Sequence, residues 1–390
     1  MAETGTALSR AFRRNVRQSA MVLSLLGIWA VFALATDGVF LAPRNLSNLF
    51  LQTVAVGIAA AGMALVIVAG QIDLSVGSVA GFAGAVAAVL QVSHGWPTAP
   101  AIAAGILAGA AVGAWHGFWV AYRRVPAFVV TLASMLAFRG LILGITGGQT
   151  VSPLHDSFKG IGQRYLPRLT GGTGPHDTTL LLGLVAIVLF ALLAARRRSQ
   201  RLRYGFEVLP AGLEALKVAG IALALSAFFA VLAANQGMPV AVLLLALVVV
   251  ALDFVARHTV FGRHLYAAGA GPEAARLSGI DVKKRVFQLF ALFGALTGLS
   301  GIVLTARLNA ATTSAGVNME LDAIAAAVIG GTSLMGGEGT VTGAVVGALI
   351  MASLDNGMSL LNLDVTFQYV VKGLVLLLAV WVDMATRKRG

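Results

Sequence analysis

The sequence predicts an all-α, polytopic membrane protein of about 10–12 transmembrane helices, and three observations carry that reading. First, 58% of its 390 residues are hydrophobic and 11% are charged, against about 25% charged in soluble domains. The mean hydropathy is +0.87. Second, the apolar residues run in unbroken stretches of about 20, the length that crosses a bilayer as a helix. They do not alternate in and out as barrel strands do. Third, the Lys and Arg behind a formal net charge of +12 fall between those stretches. There they orient a chain in a membrane, and they give no basis for a nucleic-acid partner.

The apolar segments fall at about 20–36, 52–70, 75–92, 100–121, 126–146, 179–195, 216–235, 239–256, 286–306, 321–335, 340–357 and 366–383. Arg10, Arg13, Arg14 and Arg17 precede the first of them. Ala33-Leu34-Ala35 has the form of a signal-peptidase site, but the many spans that follow favour an uncleaved first helix. With the N-terminus inside, the inner loops hold Arg123, Arg124, the cluster Arg196 to Arg203, the group from Arg257 to Arg285, and Arg387-Lys388-Arg389. The outer loops hold only Arg44, Lys159, Arg164, Arg168 and Arg307, so the positive-inside rule is met and both termini are expected in the cytoplasm. Residues 1–19 then form a cytoplasmic tail, 20–383 the membrane domain with a cytoplasmic loop at 257–285, and 384–390 a basic tail. The span count is even. Ten and twelve both remain, because 321–335 and 340–357 are short and glycine-rich.

An ungapped internal echo links two of these regions. Ala64 and Val66-Ile67 recur as Ala326 and Val328-Ile329, and Gly77-Ser78-Val79-Ala80-Gly81 recurs as Gly339-Thr340-Val341-Thr342-Gly343. Glycine-interrupted apolar segments at matching positions of a repeat point to a transport pathway; chance similarity in Ala/Val/Gly-rich sequence is the competing account. Small residues also let membrane helices approach closely, so Gly77, Gly81, Gly84, Gly343 and Gly347 are expected at tight helix contacts.

The most informative stretch is Gly271-Pro272-Glu273-Ala274-Ala275-Arg276-Leu277-Ser278-Gly279, in the basic loop between two apolar segments. Pro272 suits a first helical turn, Glu273 its positive end, and Gly279 a left-handed stop. A compact helix capped clear of the bilayer is offered to something, which suggests a pump whose motor is another polypeptide. Gly271, Glu273, Ala274, Arg276 and Gly279 are its candidate contact residues.

Asp73, in Gln71-Ile72-Asp73-Leu74-Ser75, sits between two apolar halves. It either faces a polar pathway, since ionisable groups at membrane depth are costly, or caps the next helix together with Ser75. Gln71, Asp73, Ser75, Asp355 and Asn356 are the candidates for a translocation pathway. Arg139, Asp253 and Lys372 also lie in or beside spans, where a buried ion pair or a snorkelling side chain explains each. Carboxylates that could serve ion coupling are few. Metal and cysteine chemistry have no support, because the chain has no cysteine and its six histidines lie scattered. No Gly-x-x-x-x-Gly-Lys-Ser/Thr loop and no catalytic elbow occurs, so ATP is not bound here and the chain is not expected to be an enzyme.

Gln71-Ile72-Asp73-Leu74-Ser75-Val76-Gly77-Ser78, Phe261-Gly262-Arg263, Glu273 to Ile280, and Ala327-Val328-Ile329-Gly330-Gly331-Thr332-Ser333-Leu334 resemble the signature of ribose/xylose-type permease subunits of ABC importers, in the same order and over about residues 36–389. Within that family Thr36-Asp37-Gly38, Trp119 to Pro126, Met135 to Gly140, Thr150 to Pro153 and Ala352 to Ser359 resemble the D-xylose subgroup, as does the extra length near 150–235. Gly271-Pro272 and Glu338 depart from the family pattern. The resemblance implies a permease in the inner membrane that moves a monosaccharide, xylose ahead of ribose, arabinose or galactose. It also implies a permease dimer, two cytoplasmic ATP-binding subunits gripping the 271–279 helix, and a periplasmic sugar-binding protein. An ion-driven secondary transporter and an inert membrane scaffold are the other classes. The capped loop and the scarcity of inward carboxylates argue against the first, and the glycine-broken spans against the second.

Overall fold

The computed structural model describes residues 16–172, 174–206 and 208–387. The basic tails at 1–15 and 388–390 lie outside the described residues. Fifteen α-helices account for most of the chain, with two isolated bridges and no strand among the described residues. They are α1 (Val16–Ala35), α2 (Pro43–Val68), α3 (Val76–Val92), α4 (Thr98–Gly117), α5 (Ala127–Thr146), α6 (Asp156–Gln163), α7 (Asp177–Arg203) and α8 (Ala211–Ala233). Then come α9 (Val240–His258), α10 (Val260–Ala270), α11 (Pro272–Leu277), α12 (Val282–Leu308), α13 (Met319–Ile329), α14 (Val341–Leu360) and α15 (Val365–Arg387). Several boundaries have a local cause. Proline opens α2 and α11, Thr259 accepts the Gly262 amide to start α10, and Asp281 accepts that of Lys284 to start α12.

The helices form an inner set and an outer set. Of its most apolar stretch, α2 buries 89%, α12 72% and α14 67%, while α7 and α8 bury 11% each. Most of the apolar surface of these two helices is left uncovered by the rest of the described residues. α7 and α8 pack on each other at the rim, with Phe229 against Gly183. They are the extra length noted at 150–235.

The inner helices meet through glycine, as expected. Gly77, Gly81 and Gly84 face the backbone of Gly316, Ala315 and Gly301, while Gly343 and Gly347 face Gly330 and Ala326. A longer seam lies elsewhere. Gly105, Gly109, Gly113 and Gly117 recur every fourth residue along α4; Gly105 faces the Ala83 carbonyl of α3, and the other three lie against the α12 backbone at Gly294, Phe290 and Phe287. That spacing is the small-xxx-small pattern in sequence.

Among the described residues eight helices are long and apolar enough to cross a membrane, and three shorter apolar stretches, Ala20–Ala35, Val76–Val92 and Val365–Trp381, accompany them. The segment expected at 321–335 is not one of them. α13 has 11 residues, about 16 Å at 1.5 Å per residue, against a hydrocarbon core of about 30 Å. It is fed by an irregular stretch, 309–318. Ala311 bridges to Val151 at the end of the bundle remote from α10 and α11, and Gly316 then reaches Gly77 in the first turn of α3. α1 runs parallel to α14, with Trp29 on Ser353 and Phe32 on Gly357. α15 runs parallel to α13, with Lys372 on Asp322 and Leu376 beside Ala325.

The echo in the sequence becomes two helix–break–helix units, α2–α3 and α13–α14. Gly70 and Gly331 end the first helices at φ +73° and +85°, a conformation that side chains with a Cβ resist. The first helices differ, however, at 26 and 11 residues.

Candidate translocation site and coupling surface

α11 stands clear of the bundle between Gly271 and Gly279. Gly271 is extended at its entry, and Gly279 is left-handed at φ +83°. Ile280 donates its amide to the Ala275 carbonyl at 3.1 Å and Gly279 to that of Arg276 at 3.0 Å, a paired closure that finishes a helix. Ala275 is the buried anchor, whereas Leu277 is 80% exposed. Arg276 donates twice to one Glu273 oxygen, at 3.0 and 3.1 Å, with both side chains exposed. An exposed ion pair of this kind contributes little to folding. It holds a fixed charge pattern beside a protruding leucine.

α10 ties this helix to the breaks. A Cβ on Gly269 would strike the Val68 carbonyl that ends α2, and Gly336 closes on the Gly269 carbonyl. Gly337 donates to the same Val68 carbonyl at 2.8 Å. The Tyr266 hydroxyl donates to Gly339 O at 2.8 Å, and burial pushes that phenol above its ordinary range, so it stays an uncharged donor. The break after α2, the break after α13 and the stem of α11 thus meet at one point.

Asp73 is buried in the first break. It accepts the Ser75 amide at 2.8 Å and the Ser75 hydroxyl at 2.6 Å, and its other oxygen lies 3.4 Å from His116 Nδ1 on α4. The carboxylate is therefore occupied in holding the entry to α3. Gln71 is half-buried beside it and Ser75 is enclosed. Neither they nor Asp73 line the two cavities described next.

The larger, of about 570 Å³, lies at the end remote from α11. Its wall carries Arg44, Asn45, Asn48, Tyr165, Asn235 and Gln236. The smaller, of about 320 Å³, lies between α2, α12, α13, α14 and the irregular lead-in, and its wall includes Gln52, Arg307, Asp322 and Asp355. Lys372 from α15 bridges the two carboxylates, at 3.1 Å to Asp322 and 2.8 Å to Asp355. Asn356, one residue on, faces elsewhere: its amide exchanges hydrogen bonds with Asn45 at 2.8 and 3.1 Å, tying α14 to α2. The structure thus separates the expected pathway residues into three places: 71–75 in a break, Asp355 at a polar cavity, and Asn356 in a helix contact.

Arg139 donates to the Ala315 carbonyl at 2.8 Å, and Asp253 pairs with Arg257 one turn away at 2.8 Å. Sequence reasoning overlooked Gln52. A lone amide deep in an apolar span was the signal that would have marked it.

A family profile described as "Branched-chain amino acid transport system / permease component" matches residues 45–380. The chain is 46% identical over 376 residues to the xylose transport system permease protein XylH of Escherichia coli (strain K12), covering 96% of this chain and 94% of that one. Against XylH of Haemophilus influenzae the identity is 45% over 375 residues, covering 96% and 98%. Against the ribose import permease protein RbsC of Escherichia coli (strain K12) it is 36% over 368 residues, covering 94% of each. No solved structure matches the chain.

Proposed function

Because the chain belongs to the family of branched-chain amino acid transport system permease components, we propose that it is the permease subunit of an ATP-driven importer that carries D-xylose across the inner membrane. The observation that carries the sugar is the near-full-length likeness to xylose permeases at 46% identity, ten points above the ribose permease. The chain is a transport subunit, not an enzyme.

Two copies would form the pathway, two cytoplasmic ATP-binding subunits the motor, and a periplasmic binding protein would deliver the sugar. ATP is held by the motor subunits. Positive charge supports placing the α10–α11 end in the cytoplasm: Arg123, Arg124, Arg196 to Arg203, Arg257, Arg263 and Arg285 fall in the loops and helix ends on that side. Both termini are cytoplasmic in this orientation, and lipid covers α7 and α8.

Residues 257–285 then form the coupling loop, with α11 seated in a cleft of the motor through Leu277, Glu273 and Arg276. Closure of the motor dimer displaces α11, α10 carries the displacement to Val68 and Gly337, and the helices on both sides of the two breaks change their tilt. The bundle switches its open side between two packed arrangements. The external protein supplies most of the specificity, so weak binding inside the permease suffices.

The test is reconstitution in liposomes with and without the ATP-binding subunit and the xylose-binding protein. The expected result is xylose uptake only when both partners and ATP are present. Uptake by the lone chain on a proton or sodium gradient would refute the importer, and preference for ribose in a direct competition would refute the sugar.

A further inference from the structure

We infer that the cavity walled by Gln52, Arg307, Asp322 and Asp355 is the station at which the sugar is held during its passage, with Lys372 fixing the two carboxylates as hydroxyl acceptors. The inference rests on the importer reading and adds a location and a chemistry to it.

Three independent features converge on that space. The first is depth and backbone. Gln52 lies nine residues into the 26-residue α2, and the cavity's opposite wall is the irregular lead-in through Gly316 and Val317. Non-helical backbone at membrane depth persists where protein buries it or where it lines a polar cavity, and discontinuous helices are where transported solutes are held.

The second is charge. Two carboxylates meet one ammonium in the Asp322–Lys372–Asp355 triad, and the Arg307 guanidinium lines the same cavity without an ion pair among the described residues. The four formal charges cancel. A cavity that is polar but neutral in sum favours an uncharged, polyhydroxylated solute over an ion. Asp355 Oδ2 is taken by Lys372, while Oδ1 is an enclosed acceptor with no hydrogen-bond partner, and such an atom costs about 1–3 kcal/mol if left unmet. A small turn of the Asp355 side chain toward the cavity would let a sugar hydroxyl supply the missing donor.

The third is size and lining. About 320 Å³ is at the small end of ligand pockets, suited to a monosaccharide and too small for an oligosaccharide. Met319 and Met351 add an apolar wall for the C–H faces of a pyranose ring.

The experiment uses the full complex of permease, ATP-binding subunit and xylose-binding protein in proteoliposomes. The chain has no cysteine, so Gln52→Cys supplies a single thiol. Xylose uptake by Asp355→Asn is expected to fall about tenfold or more, as for loss of a charge-assisted hydrogen bond, while ATP hydrolysis stimulated by the binding protein stays within about twofold of wild type. Xylose under turnover is expected to slow labelling of Gln52→Cys by a small methanethiosulfonate reagent about threefold or more, for a thiol shielded by solute. Wild-type uptake by Asp355→Asn, or labelling indifferent to xylose in a complex that is transporting, would overturn the assignment. Should Asp355→Asn fail to fold, the labelling result alone decides. Absence of xylose uptake by the wild-type complex is a different failure, that of the importer reading itself.

Discussion

The amide of Gly337 donates to the carbonyl of Val68 at 2.8 Å, joining the loop after α13 to the end of α2 across most of the sequence. Gly269 at the end of α10 lies against the same carbonyl with no room for a side chain. Gly269→Val is therefore expected to force the stem of α11 away from both breaks, an overpacking cost of about 1–3 kcal/mol. ATP-driven uptake should fall about tenfold, as a penalty of about 1.4 kcal/mol on one of the two arrangements would give. Co-purification of the ATP-binding subunit should persist. Undiminished uptake would show that α10 does not carry the movement.

Glu273→Ala and Arg276→Ala remove an exposed pair whose contribution to folding is small. The thermal midpoint should stay where it is, while affinity for the ATP-binding subunit weakens about three- to tenfold, the scale of an interface side chain. Binding measured by surface plasmon resonance, with uptake in parallel, checks this. Full affinity in both variants would make the pair ordinary loop surface.

Asp73→Ala leaves His116 buried without its partner and the Ser75 amide without its acceptor. Leaving such buried polar groups without their partner costs about 1–3 kcal/mol each. A sharp loss of monodisperse protein in detergent and a lower thermal midpoint are expected, with Asp73→Asn milder because it keeps an acceptor oxygen. If Asp73→Ala is stable yet transports nothing, the carboxylate serves the sugar's path instead.

Asn356→Ala and Asn45→Ala each break the same reciprocal amide pair. Each should cost about 0.6–1.7 kcal/mol, the range for interhelical hydrogen bonds in membranes, and the double variant should cost little more than either alone. A thermal-unfolding double-mutant cycle measures the coupling, and additive losses would deny that the two amides act as a unit.

Composition and segment length decided the architecture in the sequence: a chain with so few charges and so many apolar runs has no folded state in water that covers them. Pro272, Glu273 and Gly279 likewise wrote α11 locally, because caps and a left-handed stop act within a few residues. The site was less legible. Asp355 and Lys372 were visible as costly charges, but nothing in the sequence says that α14 and α15 bring them within 2.8 Å or that Asp322 completes the triad. Nor does local pattern separate Asp355, which faces a cavity, from Asn356, which faces α2.

The apolar run at 321–335 read as a span because periodicity cannot tell an 11-residue half-helix with a glycine-rich tail from a short crossing. Only the packing of Gly316 on Gly77 and of Ala311 on Val151 reveals that an irregular stretch leads into this half-helix. Hydrophobicity is summed along the chain, so the sequence alone settles that this protein lives in a bilayer and carries a protruding handle. Which polar groups share a cavity depends on contacts between residues tens or hundreds of positions apart, and tertiary structure alone sets those.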